Sequence, residues 1–326
     1  MISYQFPNGN FQQEPVKSNP DDDPLILTPL IDQNKIEEAK QAARVNPDMF
    51  LGVESYSGFF TVNKEYNFHK SNMFFWFFPS ENNYGNDPVI LWLQGALNER
   101  SSSLFGLFME NGPFSVNSDH QLVPREYSWT KNHSVLYIDN PVGAGYSFTN
   151  DLYAKNQTEV GKDLYNALQQ FFKLFSELRE NDFFIIGESY AGKYIPAIGY
   201  TILKENLKAE NKINLQGLAI GNGFSDPIHQ IDYSDYLYQL GILDRNVRKS
   251  LKENENEDLT RHFLTQNAHN FQAVIPANYN LQRDSSVANS KITNIATSPQ
   301  KFRYPRYSRA FSNSATSRSI LGLDID

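Results

Sequence analysis

The chain has 326 residues, a formal net charge of −8 and no cysteine. Proteins that wrap nucleic acid or coat anionic membranes need a surplus of Lys and Arg, so the negative charge argues against nucleic acid and membranes as partners. Without cysteine there are no disulfides, cysteine nucleophiles or thiolate zinc sites. No motif for another metal or for a cofactor is recognised, so neither is expected. The longest apolar runs, such as 74–78 and 89–93, are far shorter than the ~20 residues of a membrane helix.

Composition divides the chain into three parts. Residues 1–24 contain four prolines and an acidic run but no apolar stretch typical of a signal peptide, and are expected to form a disordered leader. Residues 25–258 show short apolar runs separated by Gly, Pro and Asn, as in a folded α/β domain. Residues 259–326 carry eight Lys and Arg against three Asp and Glu and are expected to form an unrelated, disordered tail.

The middle part alternates predicted strands and helices. Several of the strands are apolar throughout, which is typical of parallel strands covered on both faces. The predicted result is a mostly parallel sheet with right-handed crossovers and helices on both faces. Strands are predicted at 58–62, 74–78, 89–93, 135–138, 183–186 and 218–220, and helices over 160–178, from Ser189 to about 202, and over 244–258.

A serine stands where the fifth predicted strand meets a helix. Residues 187–191 read Gly-Glu-Ser-Tyr-Ala, which fits a nucleophile elbow whose tight corner exposes the Ser189 hydroxyl. The amide of Tyr190, at the helix N-terminus, could then donate to an oxyanion. A helix N-cap serine fits the same pattern, so the local sequence leaves both interpretations open.

Three segments together resemble the serine carboxypeptidase family, above all its vitellogenic carboxypeptidase-like branch. They are Gly-Glu-Ser-Tyr-Ala-Gly-Lys-Tyr at 187–194, Ile-Asp-Asn-Pro-Val-Gly-Ala-Gly-Tyr-Ser at 138–147 and Ile-Gly-Asn-Gly at 220–223, within a similar region over about 25–251. The resemblance implies an α/β-hydrolase fold and a Ser, Asp, His triad. The implied reaction removes the last residue of peptides that have a free C-terminus.

The resemblance also implies roles for individual residues. Ser189 is the nucleophile, and the amides of Tyr190 and Ala96 are the oxyanion donors. The residues that recognise the substrate's terminal carboxylate are Trp92, Gln94, Gly95, Glu110 and Glu188.

The two glutamates can bind a carboxylate only if one of them is protonated. Burial and mutual repulsion would raise the pKa of Glu110 or Glu188 in this way, which predicts an acidic working pH. Taken alone, Glu110 also fits a solvated helix residue.

The loop after Gln94 departs from the family. The family has Gly-Gly-Pro-Gly after Trp-Leu-Gln, whereas this chain continues Gly95-Ala96-Leu97-Asn98. Ala96 keeps its N–H, but a Cβ in a left-handed conformation costs roughly 1–2 kcal/mol. The amide of Ala96 is therefore expected to be poorly aimed, which weakens the oxyanion hole. Loss of one oxyanion donor costs ~10²–10³ in rate in other serine hydrolases.

The Asp and His of the triad are not found in the sequence. They should follow Ser189. His229 lies in a stretch that the family shares before a helix and is expected to have a structural or surface role, whereas His262 and His269 lack the Gly-rich turn of the family's catalytic histidine. The acids of 244–258 and the terminal Asp324 and Asp326 lack the catalytic context as well. The chain is therefore expected to be C-terminally truncated, with strand 218–220 as an exposed apolar edge.

The leading hypothesis is a catalytically deficient serine carboxypeptidase. Two alternatives stay open, a non-catalytic binder of peptide C-termini and an incomplete product with no function. The resemblance implies a secreted or lysosomal location, and the lack of a signal peptide argues against it. Asn132 and Asn156 begin triplets that fit N-glycosylation, which matters only on the secretory path.

Overall fold

A mixed seven-stranded sheet forms the centre of the molecule. The computed structural model describes residues 23–63, 71–95, 102–149, 153–226, 230 and 233–264, with side chains up to residue 255. The strands within these residues are β1 (Tyr56–Asn63), β2 (Ser71–Phe78), β3 (Val89–Gln94), β4 (Phe114–Val116), β5 (Leu122–Pro124), β6 (Ser134–Ile138), β7 (Phe148–Thr149), β8 (Phe183–Glu188) and β9 (Leu215–Gly221).

The strand order of the sheet is β1-β2-β6-β3-β8-β9, with β7 paired to β2 and with β4 and β5 forming a separate hairpin. The strands β6, β3, β8 and β9 are parallel, whereas β2 is antiparallel to β1, β6 and β7. The parallel half therefore brings the carboxyl ends of β3, β6 and β8 to one edge, where the candidate site lies.

All six predicted strands are present, each extended by one or more residues. For 74–78, the expectation of a parallel strand is wrong, because β2 is buried along its whole length yet antiparallel to its neighbours. Burial on both faces requires a covering layer on each side and does not depend on strand direction. Three strands, β4, β5 and β7, were not predicted, since two or three residues are too short for a pattern.

The two faces of the sheet pack against different layers. Met73, Phe75 and Phe77 of β2 belong to a core that also contains helix residues, whereas the alternate residues Phe74 and Trp76 belong to a second core. The second core is covered by a π-helix (Gly106–Asn111) and the β4–β5 hairpin. The α-helices of the described residues are α1 (Thr28–Asp32), α2 (Ile36–Ala43), α3 (Gln157–Leu174), α4 (Ala191–Glu205), α5 (Ser234–Gln239) and α6 (Arg245–Leu264), of which α1 to α4 line the first core.

The predicted helices are found with small changes in their ends. The side chain of Asn156 caps α3 by accepting from the Glu159 amide at 3.0 Å, and a 3₁₀ turn replaces the helix after Leu174. The next helix, α4, begins two residues after Ser189, and α6 continues through Asp258, the predicted end of the folded part. No helix among the described residues is both long and apolar enough to cross a membrane.

The predicted apolar edge is confirmed. Within the described residues β9 stands at the end of the strand order, and its side chains Leu218 and Ile220 are 46% and 39% exposed. Among the residues that the structure describes, one side of β9 therefore has no strand partner, and exposed apolar side chains lie beside it.

Candidate active site

Ser189 occupies a strained corner between β8 and α4. Its φ of +59° lies in the left-handed region, which is uncommon for any residue other than glycine. Three backbone hydrogen bonds hold the corner: the Ser189 amide donates to Gly221 at 2.9 Å, and the Ser189 carbonyl accepts from Gly192 at 3.0 Å and from Phe224 at 2.8 Å. A strained backbone that is held in place by its surroundings is typical of functional sites. It also distinguishes Ser189 from an ordinary N-cap serine, whose backbone is extended.

The corner can form because Gly187 lets β8 pass close to β3. A Cβ at Gly187 would lie 2.1 Å from the Leu93 carbonyl oxygen, which no side chain could tolerate. The tight packing leaves Ser189 half-buried at the carboxyl edge of the sheet.

The Tyr190 amide is available as a hydrogen-bond donor. It precedes the first helical residue of α4, and no carbonyl in the described part of the chain accepts from it. Gly95, at the end of β3, lies against this amide. Ala96, the second predicted donor, falls outside the described residues.

A polar cluster of Gln94, Glu110 and Glu188 lies beside the serine corner; we call it the carboxyl cluster. The Trp92 indole N–H donates to Gln94 Oε1 at 3.0 Å, so the Gln94 amide nitrogen must face the other way. That nitrogen donates to Glu188 Oε1 at 2.6 Å. The buried Trp92 thereby orients Gln94, because the single N–H of its indole ring donates to the Gln94 side chain.

Glu110 reaches the cluster from the π-helix. A Cβ at Gly106, the first residue of this helix, would lie 2.2 Å from Trp92 Nε1, so glycine lets the helix approach the sheet. Glu110 is hydrogen-bonded to both Glu188 and Gln94. It is half-buried and hydrogen-bonded within the cluster, which differs from the fully solvated helix residue of the alternative interpretation.

The environment of Glu110 favours its protonated form. Burial and, after it, the adjacent Glu188 carboxylate raise the pKa of Glu110 to about 7, against the opposing effects of the Gln94 hydrogen bond and the Arg125 charge. A protonated Glu110 can donate a hydrogen bond, so this cluster can receive a further carboxylate near and below neutral pH.

Arg125 is a further residue of the site, not predicted from the sequence. Its guanidinium donates to the carbonyls of Phe108 at 2.8 Å and Gly112 at 3.0 Å, so it binds the last turn of the helix that carries Glu110. A signal was available, because Arg125 is the only Lys or Arg between Arg100 and Lys131.

No base for Ser189 is found in the described part of the chain. No side chain there is hydrogen-bonded to the Ser189 hydroxyl. The two histidine side chains that are described belong to His120, in the β4–β5 turn, and His133, whose Nδ1 lies 3.3 Å from the Trp129 carbonyl. The described residues also contain no group of three acidic or histidine side chains that could hold a metal ion. The predicted leader up to residue 22, His229, His269, the His262 side chain, Asp324 and Asp326 lie outside what the structure describes.

A serine at positive φ between a parallel strand and a helix, at the carboxyl edge of a mixed sheet, defines an α/β-hydrolase fold with a nucleophile elbow. Comparison with known proteins agrees. A family model described as serine carboxypeptidase matches residues 46–319. The chain therefore belongs to the serine carboxypeptidase family.

Individual relatives give the extent of the similarity. The chain is 55% identical to the venom serine carboxypeptidase of Apis mellifera over 72% of its length, and 51% identical to the vitellogenic carboxypeptidase of Aedes aegypti over 71%. It spans about half the length of these relatives, 50% and 48% respectively. A solved structure of the Saccharomyces cerevisiae prohormone-processing carboxypeptidase Kex1Δp matches with a TM-score of 0.62 at 22% identity, covering 88% of this chain and 69% of that one, which shows the shared fold.

Proposed function

We propose that this chain binds the free C-terminus of peptides in mildly acidic conditions and hydrolyses them poorly or not at all. The carboxyl cluster carries the proposal, because Glu110 beside Glu188 is poised to hold a proton near neutral pH. The terminal carboxylate of a peptide would accept from protonated Glu110 and from the backbone amide of Gly95. No cofactor is required for this role.

The peptide bond to be cleaved would lie over Ser189. In the reaction of the family, the serine oxygen attacks the carbonyl carbon of the last peptide bond, and an amide such as that of Tyr190 stabilises the oxyanion. The serine proton must pass to a base, since a neutral hydroxyl is a weak nucleophile. The described residues supply no such base, and a site that lacks the triad Asp and His is expected to reach only the ~10³–10⁴-fold over water that binding and the oxyanion hole provide.

A second candidate is full carboxypeptidase activity. It is favoured by the strain at Ser189, whose φ of +59° has no purpose in a simple binder. Release of C-terminal residues from acyl dipeptides at mildly acidic pH, abolished by Ser189→Ala, would establish this candidate over the first.

Calorimetry tests the binding proposal. An acyl dipeptide with a free carboxylate is compared with its C-terminal amide at about pH 6.5, where Glu110 is mostly protonated. We expect at least about tenfold tighter binding of the free acid, since a lost hydrogen bond to a charged group is worth at least that much. Equal binding of the two peptides would end the proposal.

A secreted or lysosomal location is part of the proposal. An acidic compartment would keep Glu110 protonated, and the name of the Apis mellifera relative places that protein in venom. Asn132 and Asn156 are both exposed, as N-glycosylation on this route would require.

A further inference from the structure

Asp139 is a buried carboxylate at the carboxyl end of β6, outside both the serine corner and the carboxyl cluster. It is 1% exposed, and its oxygens accept three hydrogen bonds from neutral donors. Oδ1 accepts from the Ser102 hydroxyl at 2.7 Å and the Ser103 amide at 2.8 Å, and Oδ2 accepts from the Tyr146 amide at 2.8 Å. A buried carboxylate is costly, so a specific role must justify keeping it.

Ser103 links Asp139 to Gln94. Ser103 accepts from the Gln94 amide through its hydroxyl at 3.2 Å, and the same hydroxyl donates to the Ile138 carbonyl. Asp139 therefore fixes the backbone of Gln94 through one intervening residue.

Ser102 links Asp139 to the helix that carries Glu110. The Ser102 carbonyl accepts from the Phe105 amide at 3.0 Å, in the turn that leads directly into the π-helix. Since Glu110 lies on that helix, the contact with Ser102 anchors its start, just as Arg125 binds its end. Two members of the carboxyl cluster thus depend on one carboxylate.

Asp139 is itself held in place from the opposite side. A Cβ at Gly145 would lie 2.0 Å from Asp139 Oδ2, so the carboxylate fits only against glycine. The Ser147 hydroxyl donates to the Asp139 carbonyl at 2.6 Å and accepts from the Phe74 amide of β2 at 2.8 Å. The backbone of Asp139 is therefore bound to the sheet, and its carboxylate is held in one position against Gly145.

We propose that Asp139 is a positioning residue that holds Gln94 and the Glu110 helix at the separation at which they bind a peptide carboxylate together with Glu188. The inference rests on the proposed function and names the residue that assembles its site. Burial raises the pKa of Asp139 to about 6 against its three hydrogen bonds. At about pH 6.5 Asp139 is thus mostly ionised while Glu110 is mostly protonated.

The test is Asp139→Asn, in which one oxygen becomes an amide nitrogen that cannot accept from its donor. At about pH 6.5 we expect the affinity for the free-acid peptide to fall about tenfold and the affinity for the amidated peptide to stay unchanged. The pKa of Glu110, read from its carboxyl ¹³C shift, should fall, because the helix that carries Glu110 is no longer held against Glu188. The neighbours that act on Glu110 are Glu188, Gln94 and Arg125, and none of them is altered.

Asp163→Asn is the matched control. Asp163 is a partly buried acid on α3 whose pKa burial also raises to about 6. Neither peptide affinity nor the Glu110 titration should change in this variant, so loss of a buried charge alone would not reproduce the effect.

Ser103→Ala keeps the test decisive if Asp139→Asn does not fold. It removes the hydroxyl that accepts from the Gln94 amide and leaves the Asp139 carboxylate and its bond from the Ser103 amide in place, so a smaller loss of free-acid preference is expected. The inference is overturned if a folded variant keeps both the wild-type preference and the wild-type Glu110 titration. If the wild-type protein shows no preference for the free acid, the proposed function fails, and the Glu110 titration still decides the role of Asp139.

Discussion

Gly95 lies against the backbone of Tyr190 so closely that a Cβ at Gly95 would be 2.2 Å from the Tyr190 amide nitrogen and 2.3 Å from the Glu188 carbonyl oxygen. Both of these atoms belong to the serine corner. The end of β3 and the turn after β8 are therefore one packed unit, and changes in one are expected to appear in the other.

Gly95→Ala should disrupt that unit. The new methyl group meets backbone that is pinned by hydrogen bonds, so we expect a loss of about 1–3 kcal/mol in the free energy of unfolding, together with loss of free-acid peptide preference. Urea denaturation and calorimetry measure the two effects. Gly85→Ala is the control, because nothing lies within 4 Å of a Cβ there; similar behaviour of the two variants would contradict the packing argument.

Ser189→Gly should stabilise the protein. Glycine adopts a φ of +59° without the left-handed penalty of roughly 1–2 kcal/mol, and its greater freedom in the unfolded chain offsets part of the gain. A net increase of about 0.5–1 kcal/mol in the free energy of unfolding is expected from urea denaturation. Ser189→Ala keeps the strained Cβ and should remain near the wild-type value. A glycine variant less stable than the alanine variant would show that the corner is not strained.

Glu110→Gln should remove the pH dependence of peptide binding. With the pKa of Glu110 raised to about 7, the wild-type site loses its proton as pH rises through 7, and a peptide carboxylate is then repelled. Wild-type affinity for the free acid should therefore fall between about pH 6.5 and 8. Glutamine donates at every pH, so the variant should bind about equally across this range.

Calorimetry at several pH values measures this effect. The control is Glu126→Gln, because Glu126 is an exposed acid just after the β4–β5 hairpin. This variant should keep the wild-type pH profile. An unaltered profile in Glu110→Gln would remove Glu110 from the binding site.

Ile220→Lys should reduce self-association. Ile220 is 39% exposed on β9, which stands at the end of the strand order among the described residues, and a lysine on an edge strand opposes pairing with another strand. Light scattering over concentrations up to about 100 μM should show less association than in the wild type. Leu203→Lys adds the same charge on the exposed face of α4 and should have little effect. Equal effects of both variants would point to net charge and not to the edge.

Local patterns in the sequence were sufficient for much of the fold. A strand or helix reveals itself through side chains a few residues apart, so the six main strands, α3 and the helix of residues 245–264 could be predicted. The serine corner was also local, because Gly187, Ser189 and Ala191 are neighbours in the chain. The antiparallel direction of β2 depends on its partners β1 and β6, and no short window contains that information.

The resemblance paired Glu110 with Glu188 and predicted a proton on one of them, but the packing that favours the proton on Glu110 required the tertiary structure. Glu110 and Glu188 are distant in the chain, and their contact exists because the π-helix packs on Trp92 across Gly106. A raised pKa follows from the water excluded around a carboxyl group, which packing decides and composition does not. The residue types that meet at the site are visible in the sequence, whereas the hydrogen bonds that Glu110 and Asp139 make form only when distant segments are brought together.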